Sequence, residues 1–407
     1  MARKVETATE VASQTPPIRI GQCLELRILR LAAGGDGVAK APDGRTVFVP
    51  LAAPSDFLEV QIVDVQRRFL RAEILKILRP GPDRVEAPCS VFGVCGGCTW
   101  QHLDYPAQVE AKRTILADTL SRIGGVALDQ VPGVMPSPRG YGYRARARML
   151  AGAGESGFRA RRSHRLCATR ACPVLAPALE SALEDVRRMS AADQEPIEWE
   201  IALGSDGPVR CGRVEKKTAL PIVIQIEGDE IQISPGTFAQ ANALLWEGLH
   251  RRVLAATGRG RRALELYAGA GFFTLALARR FSDVTVIESA ACAIADLQQN
   301  LERAGLDHVE IISARVESIL PSRRFARPDV VLLDPPRSGL AESALEAVAN
   351  LQAEKIVYLS CDPATLARDT ARLVGRGYRV TSIEGFDLFP QTPHLEALVV
   401  LEPLRRS

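Results

Sequence analysis

The 407-residue sequence has no uninterrupted apolar run that approaches a membrane span. Its opening stretch, MARKVETATEVASQTPP, lacks an apolar core of signal-peptide length. A secreted or membrane-embedded protein is therefore not expected, and a cytoplasmic one is. There is no internal repeat, no low-complexity tract and no coiled-coil heptad pattern, so neither a solenoid nor a helical assembly is indicated. A monomer is the expectation. A net charge of +3 is too small to name a partner by itself.

What is present is more telling. Nine cysteines occur, three of them within CSVFGVCGGC (89–98). A cytosolic chain keeps its thiols reduced, so clustered cysteines point to metal binding or catalysis rather than disulfides. Isolated Cys23, Cys167, Cys211 and Cys292 read as small apolar residues. Cys89, Cys95 and Cys98 do not, because their loop is glycine-rich and follows a proline. Spacing alone also allows a tetrahedral zinc site. Residues 139–170 carry nine arginines against one acid, Glu155. Such a basic field meets phosphates, with a solvated surface as the alternative.

The length predicts two or three domains. Residues 1–16 read as a loose tail. Residues 17–79 alternate with period two through Leu24, Leu26, Ile28, then Val47 and Val49, then Leu58, Val60 and Ile62, then Ile74 with Ile77 nearby. Turn signals at 34–37 and 42–44 divide these runs, which predicts a small OB-like β-barrel. Arg67, Arg68 and Arg71 are interspersed, and such barrels often hold single-stranded nucleic acid. Residues 80–230 form a central α+β region with the cysteine loop, a helix over 104–125, the arginine block and strands such as PIVIQIEG (221–228). Residues 231–407 alternate strands and helices and predict a doubly wound, Rossmann-like α/β sheet with an antiparallel final pair.

Ligands in such a sheet bind at the carboxyl ends of the strands. The first turn there carries Gly269-Ala270-Gly271, and Glu288 closes the next strand where a carboxylate can accept both ribose hydroxyls. Position 274 is Thr, so the third glycine of the dinucleotide fingerprint is missing. S-adenosylmethionine, which has no pyrophosphate, fits better than a nicotinamide dinucleotide. Asp334 and Cys361 end two further apolar strands. Asp362 and Pro363 start a helix after Cys361, a position where the helix dipole favours a thiolate.

CSVFGVCGGCTWQHLDYPAQ, DPPRSG, SCDPATLARD and FPQTPHLEALVVLE together resemble the RNA uridine-C5 methyltransferases, specifically their RumA/RlmD-like group acting on 23S ribosomal RNA. The resemblance runs from about residue 17 to the end, and its barrel is similar to a TRAM domain. It implies a class I S-adenosylmethionine-dependent methyltransferase domain and RNA as substrate, with no role on DNA. It implies a [4Fe–4S] cluster on Cys89, Cys95, Cys98 and Cys172, with Cys167 as the nearby competitor. It implies a donor site of Gln240, Tyr267, Gly269, Glu288 and Asp334, Cys361 as nucleophile, and Glu396 as general base. Two departures touch the donor site: family members often show FCGxGN where this chain has YAGAGF, so Phe272 replaces an Asn and Ala268 a Cys. The TrmA-type tRNA enzymes, as the resemblance has them, lack the barrel and the cysteine loop, which favours ribosomal RNA.

Overall fold

A computed structural model describes residues 17–126, 132–216 and 219–404. The expected tail at 1–16 lies outside the described residues. Contacts divide the chain into two units that meet between Arg84 and Val85.

The first unit is a six-stranded sheet: β1 (Cys23–Arg27), β2 (Arg30–Leu31), β3 (Gly37–Lys40), β4 (Thr46–Val49), β5 (Phe57–Val65) and β6 (Phe69–Arg79). Its strand order is β1-β5-β6-β4-β3-β2. The alternating residues read from the sequence point inward: Leu26, Ile28, Val47, Val49, Leu58, Val60 and Ile62 are all buried. Ile77 is not, at 39% exposure. Register irregularities in the β5–β6 pair interrupt the alternation there. Asp56, fully buried, closes the unit by accepting from Ala53 N, Gly81 N and the Arg84 guanidinium.

The second unit begins with the cysteine loop and α1 (Tyr105–Arg122), which Asp104 caps by accepting from Ala107 N. A short strand, β7 (Gly133–Met135), follows. A five-stranded antiparallel sheet comes next: β8 (Arg146–Gly152), β9 (Glu155–Arg159), β10 (Leu166–Ala168), β11 (Ile197–Leu203) and β12 (Val209–Arg213), in the order β10-β9-β8-β11-β12. Helix α2 (Pro177–Met189) packs its Leu179, Leu183 and Val186 with Met149, Trp199 and Ile201 of this sheet. A hairpin, β13 (Ile222–Ile226) and β14 (Asp229–Ile233), and α3 (Trp246–Thr257) lead into the large sheet.

That sheet contains β15 (Gly260–Leu266), β16 (Phe281–Glu288), β17 (Val309–Ser313), β18 (Val330–Leu333), β19 (Lys355–Ser360), β20 (Tyr378–Phe386) and β21 (Glu396–Pro403). Its helices are α4 (Thr274–Ala278), α5 (Ala291–Ala304), α6 (Val316–Ser322), α7 (Glu342–Asn350) and α8 (Pro363–Val374). The order is β17-β16-β15-β18-β19-β21-β20-β7. Seven of its eight strands run in one direction, and β21 is inserted antiparallel between β19 and β20. Its central strand β18 is apolar throughout and all four of its residues are buried, as expected where both faces are covered. Strand β7 lies far upstream in sequence yet pairs in parallel with β20 at the sheet edge. The sheet thus recruits a segment from before residue 231.

Candidate active site

The register of the large sheet builds one row of side chains at the carboxyl ends of its parallel strands. Leu266 pairs with both Ile287 and Leu333. The next positions are Tyr267, Glu288 and Asp334, three of the expected donor-site residues. The β19–β21 ladder ends with Ser360 facing Ala397. One step beyond that pair stand Cys361 and Glu396, 35 positions apart in the chain, and the Glu396 carboxylate acts on the Cys361 thiol.

A narrow cleft runs along this row, lined by Phe238, Gln240, Glu265, Tyr267, Gly269, Phe272, Phe273 and Asp334. Gly269 has φ +59° and nothing within 4 Å of where a Cβ would stand, so its backbone is open to a ligand. Gly271, at φ +93°, has no such room: a Cβ would meet Leu297 at 2.7 Å. Gln240 is buried, and its Oε1 has no hydrogen-bond partner. A buried acceptor left in that state costs about 1–3 kcal/mol, and a bound donor group would satisfy it.

The other expected residues are already engaged. Glu288 accepts from Gly269 N at 2.9 Å and from Ser289 N and Ala290 N at 2.6 and 2.8 Å. It braces the glycine turn and also the entry to α5, which has no other side-chain cap. Tyr267 adopts φ +64° and donates its hydroxyl to Glu317 at 2.9 Å. The departure at Phe272 has a visible consequence. Phe272 packs edge-on against Phe273 at 4.8 Å and against His250 at 5.6 Å, filling with rings the place of an amide.

Burial dominates the chemistry of the ionisable groups. Desolvation raises the carboxyl pKa of both Asp334 and Glu396, and the Asp334 charge adds to the effect on Glu396. Glu396 is 2% exposed, and its Oε1 has no partner. The Cys361 thiol is pushed up to about 11, first by desolvation and then by the Glu396 carboxylate, with Arg337 opposing. This corrects the expectation of a thiolate held by the helix dipole. Asp362 takes the N–H groups of Ala364 and Thr365, both at 2.9 Å, so an anion already occupies the start of α8. Burial and the neighbouring carboxylates outweigh what remains of the dipole.

Sequence reasoning missed Glu265 and Arg337. Glu265 is buried, accepts from Thr274 Oγ1 at 2.6 Å, and is pushed up to about 8 by desolvation. An acid inside the apolar run ALEL was its signal. Arg337 stands in DPPRSG, and its exposed guanidinium acts on Cys361, Glu396 and His394.

A second cavity, ≈ 580 Å³, is lined by Cys89, Cys95, Cys98 and Cys172 together with Arg144, Arg148, Arg159 and Arg162. Cys167 is buried in β10 opposite Phe158 and is not among the lining residues. Among the described residues, no group of three or more His, Cys, Asp or Glu side chains could hold a metal ion. The arginine block divides. Arg148 and Arg159 are half exposed beside Glu198. Arg146 is instead paired with buried Glu200 at 2.7 Å and donates to Thr237 O. It ties the five-stranded sheet to the Gln240 loop and is not available to a phosphate.

Comparison with known proteins adds to this geometry. Residues 223–404 match the family model described as tRNA (Uracil-5-)-methyltransferase, and 17–75 match the TRAM domain. The 23S rRNA (uracil(1939)-C(5))-methyltransferase RlmD of Chromohalobacter salexigens is 34% identical, over 92% of this chain and 88% of the relative. The corresponding protein of Pseudomonas putida is 31% identical over 96% of each. The chain belongs to the RNA uracil-5-methyltransferase family. A solved structure of this fold, the Pyrococcus abyssi tRNA (uracil-54, C5)-methyltransferase in complex with S-adenosyl-L-homocysteine, aligns with TM-score 0.73 and 25% identity. It covers 93% of this chain and 100% of its own. A tRNA enzyme therefore resembles this chain over nearly its whole length, as the RlmD relatives do. No helix among the described residues is long and apolar enough to cross a membrane.

Proposed function

We propose that this methyltransferase uses S-adenosylmethionine to methylate C5 of a uridine in 23S ribosomal RNA, through a covalent adduct at C6. The observation that supports the reading is that Cys361 and Glu396 stand at the end of the β19–β21 ladder, where the Glu396 and Asp334 carboxylates act on the thiol. The RlmD relatives support the ribosomal substrate. The Pyrococcus abyssi neighbour keeps transfer RNA as the second reading.

C5 of uracil is a weak carbon nucleophile. The Cys361 sulfur adds to C6, opens the C5=C6 bond and leaves an enolate that is nucleophilic at C5. The exposed Arg337 guanidinium offsets the carboxylates around the thiol as the sulfur becomes anionic. The donor, held against Gly269, Gln240, Glu288 and Asp334, supplies an electrophilic methyl group. Glu396 then takes the C5 proton, the C6–S bond breaks, and the C5=C6 bond re-forms. A buried carboxylate with a raised pKa is suited to accept that proton. The target base cannot react inside a stacked helix, so it is presented from a loop or flipped out.

We further propose an iron–sulfur cluster at the second cavity, supported by the four thiols that line it. Cys89, Cys95, Cys98 and Cys172 would hold it, and it would fasten the cysteine loop to the five-stranded sheet beside an arginine-rich surface.

The test is mapping of 5-methyluridine in ribosomal and transfer RNA from a deletion strain, with labelled-methyl transfer by the purified protein. Loss of one 23S position supports the reading. Loss confined to transfer RNA replaces the substrate, and no transfer to either RNA ends it.

A further inference from the structure

The barrel places its aromatic residues in an unexpected position. Its core cluster consists of Ile, Leu, Val and Ala only. A small barrel would gain stability by burying a ring. Phe48 and Phe69 instead stand on the outer face, because the strands alternate around buried Val47, Val49 and Leu70. Both rings are partly exposed. In the parallel β4–β6 pair, Thr46 faces Phe69 and Phe48 faces Arg71. The rings meet edge to face, 5.7 Å apart at 74°.

Arg71 lies over both rings, 5.8 Å from Phe48 and 5.7 Å from Phe69. Asp36 holds it from the side at 3.4 Å, yet 42% of its side chain remains exposed. A guanidinium fixed in this way has lost its rotamer freedom before any ligand arrives. Beside it, the β5–β6 turn is closed by Gln66 N donating to Phe69 O at 2.9 Å. Its two central residues, Arg67 and Arg68, are both exposed.

We infer that Phe48, Phe69 and Arg71 form a stacking platform for one unpaired RNA base, with Arg67 and Arg68 taking the adjacent phosphates. The inference rests on the RNA reading above. Its occupant follows from the chemistry. Aromatic faces and a guanidinium plane stack on bases, and two free cations within the same turn complement a phosphate backbone. The platform differs from a plain basic patch because its contribution does not depend on salt.

The experiment uses the full chain and a uridine-containing RNA oligonucleotide, as a single strand and as a duplex. Phe48→Leu/Phe69→Leu keeps apolar bulk and removes the ring faces; Phe48→Ala/Phe69→Ala removes both. Affinity for the single strand should fall about 10- to 100-fold in both variants, with the salt slope unchanged. Affinity for the duplex should not move. Arg67→Gln/Arg68→Gln should instead lower the salt slope by about two. Undiminished single-strand affinity in a folded Leu variant overturns the inference, whatever protein the face might then bind. So does an equal loss on the duplex. Methyl transfer is scored separately, with saturating RNA, so that a wild-type protein that binds through the platform but transfers no methyl sinks the enzymatic reading alone.

Discussion

Replacing Glu396 should make Cys361 easier to ionise, and the structure fixes the sign and the rough size. Both residues stand one step beyond the Ser360–Ala397 pair. Glu396 acts on the thiol as an anion and raises its pKa, with burial as the larger cause. Two unit charges about 5 Å apart interact by about 3 kcal/mol at an effective dielectric near 20. One pH unit of midpoint corresponds to about 1.4 kcal/mol. Glu396→Gln removes the charge and keeps the shape, so the midpoint should fall by about two pH units from its value of about 11. Arg337→Gln should move it the other way, because the guanidinium favours the thiolate. The assay is the rate of iodoacetamide alkylation of the Cys361 peptide, followed by mass spectrometry from about pH 7 to about pH 11. Peptide resolution separates Cys361 from the other eight cysteines, and circular dichroism at each pH checks that the fold persists. A Glu396→Gln midpoint that stays put or rises would show that the carboxylate does not act on the thiol, and the base would have to be sought elsewhere.

Three further outcomes are expected. Glu396→Gln should accumulate a protein–RNA adduct that carries labelled methyl and survives denaturing electrophoresis, whereas Cys361→Ala should form none; normal turnover of Glu396→Gln would remove it as proton acceptor. Cys172→Ser should lose iron and acid-labile sulfide from anaerobically purified protein, and Cys167→Ser should retain them, because Cys172 lines the sulfur cavity and Cys167 does not; the reverse result reassigns the ligand. Arg148→Gln/Arg159→Gln should weaken RNA binding and lower its salt slope by about two, at a smaller cost in stability than loss of Arg146. Arg146→Gln should instead cost about 3 kcal/mol in denaturant unfolding, since it leaves buried Glu200 with only the 4.0 Å contact to half-exposed Arg148.

The sequence was most legible where one strand or turn carries its own pattern. The inward residues of the barrel, the helix α1, the Gly269 turn and the strand ends at Glu288, Asp334 and Cys361 all follow from local spacing. Pairings between distant segments were less legible. Nothing in GVM announces that 133–135 will join the large sheet beside β20, because three residues carry no period. Lys112 reads as one charge among several on α1, yet it is fully buried against Asp387 at 2.5 Å. The state of Cys361 was misread for a related reason. The helix start is local and visible in DPATL, but the carboxylates that oppose it arrive from β18 and β21.

The same long-range character joins the two cavities of the second unit. Gln391 is buried and adopts φ +68°, and its carbonyl accepts from Thr99 N and Trp100 N, each at 3.0 Å. Those two residues directly follow Cys98. Its amide and side chain close a reciprocal pair with Gln108 of α1 at 2.8 and 2.9 Å. Lys112 donates to Phe389 O at 3.0 Å, and the Tyr143 hydroxyl donates to Pro390 O at 2.9 Å. Residues 389–391 are thus held from the cysteine loop, from α1 and from the residue before Arg144, and the chain then runs five positions to Glu396. Each of these bonds contributes about 1 kcal/mol, but a buried partner left unmade costs more. The backbone that leads into the proposed base therefore cannot shift without breaking bonds to the cysteine loop. The loop acts on the position of Glu396 through this hydrogen-bonded contact, whatever the thiols hold.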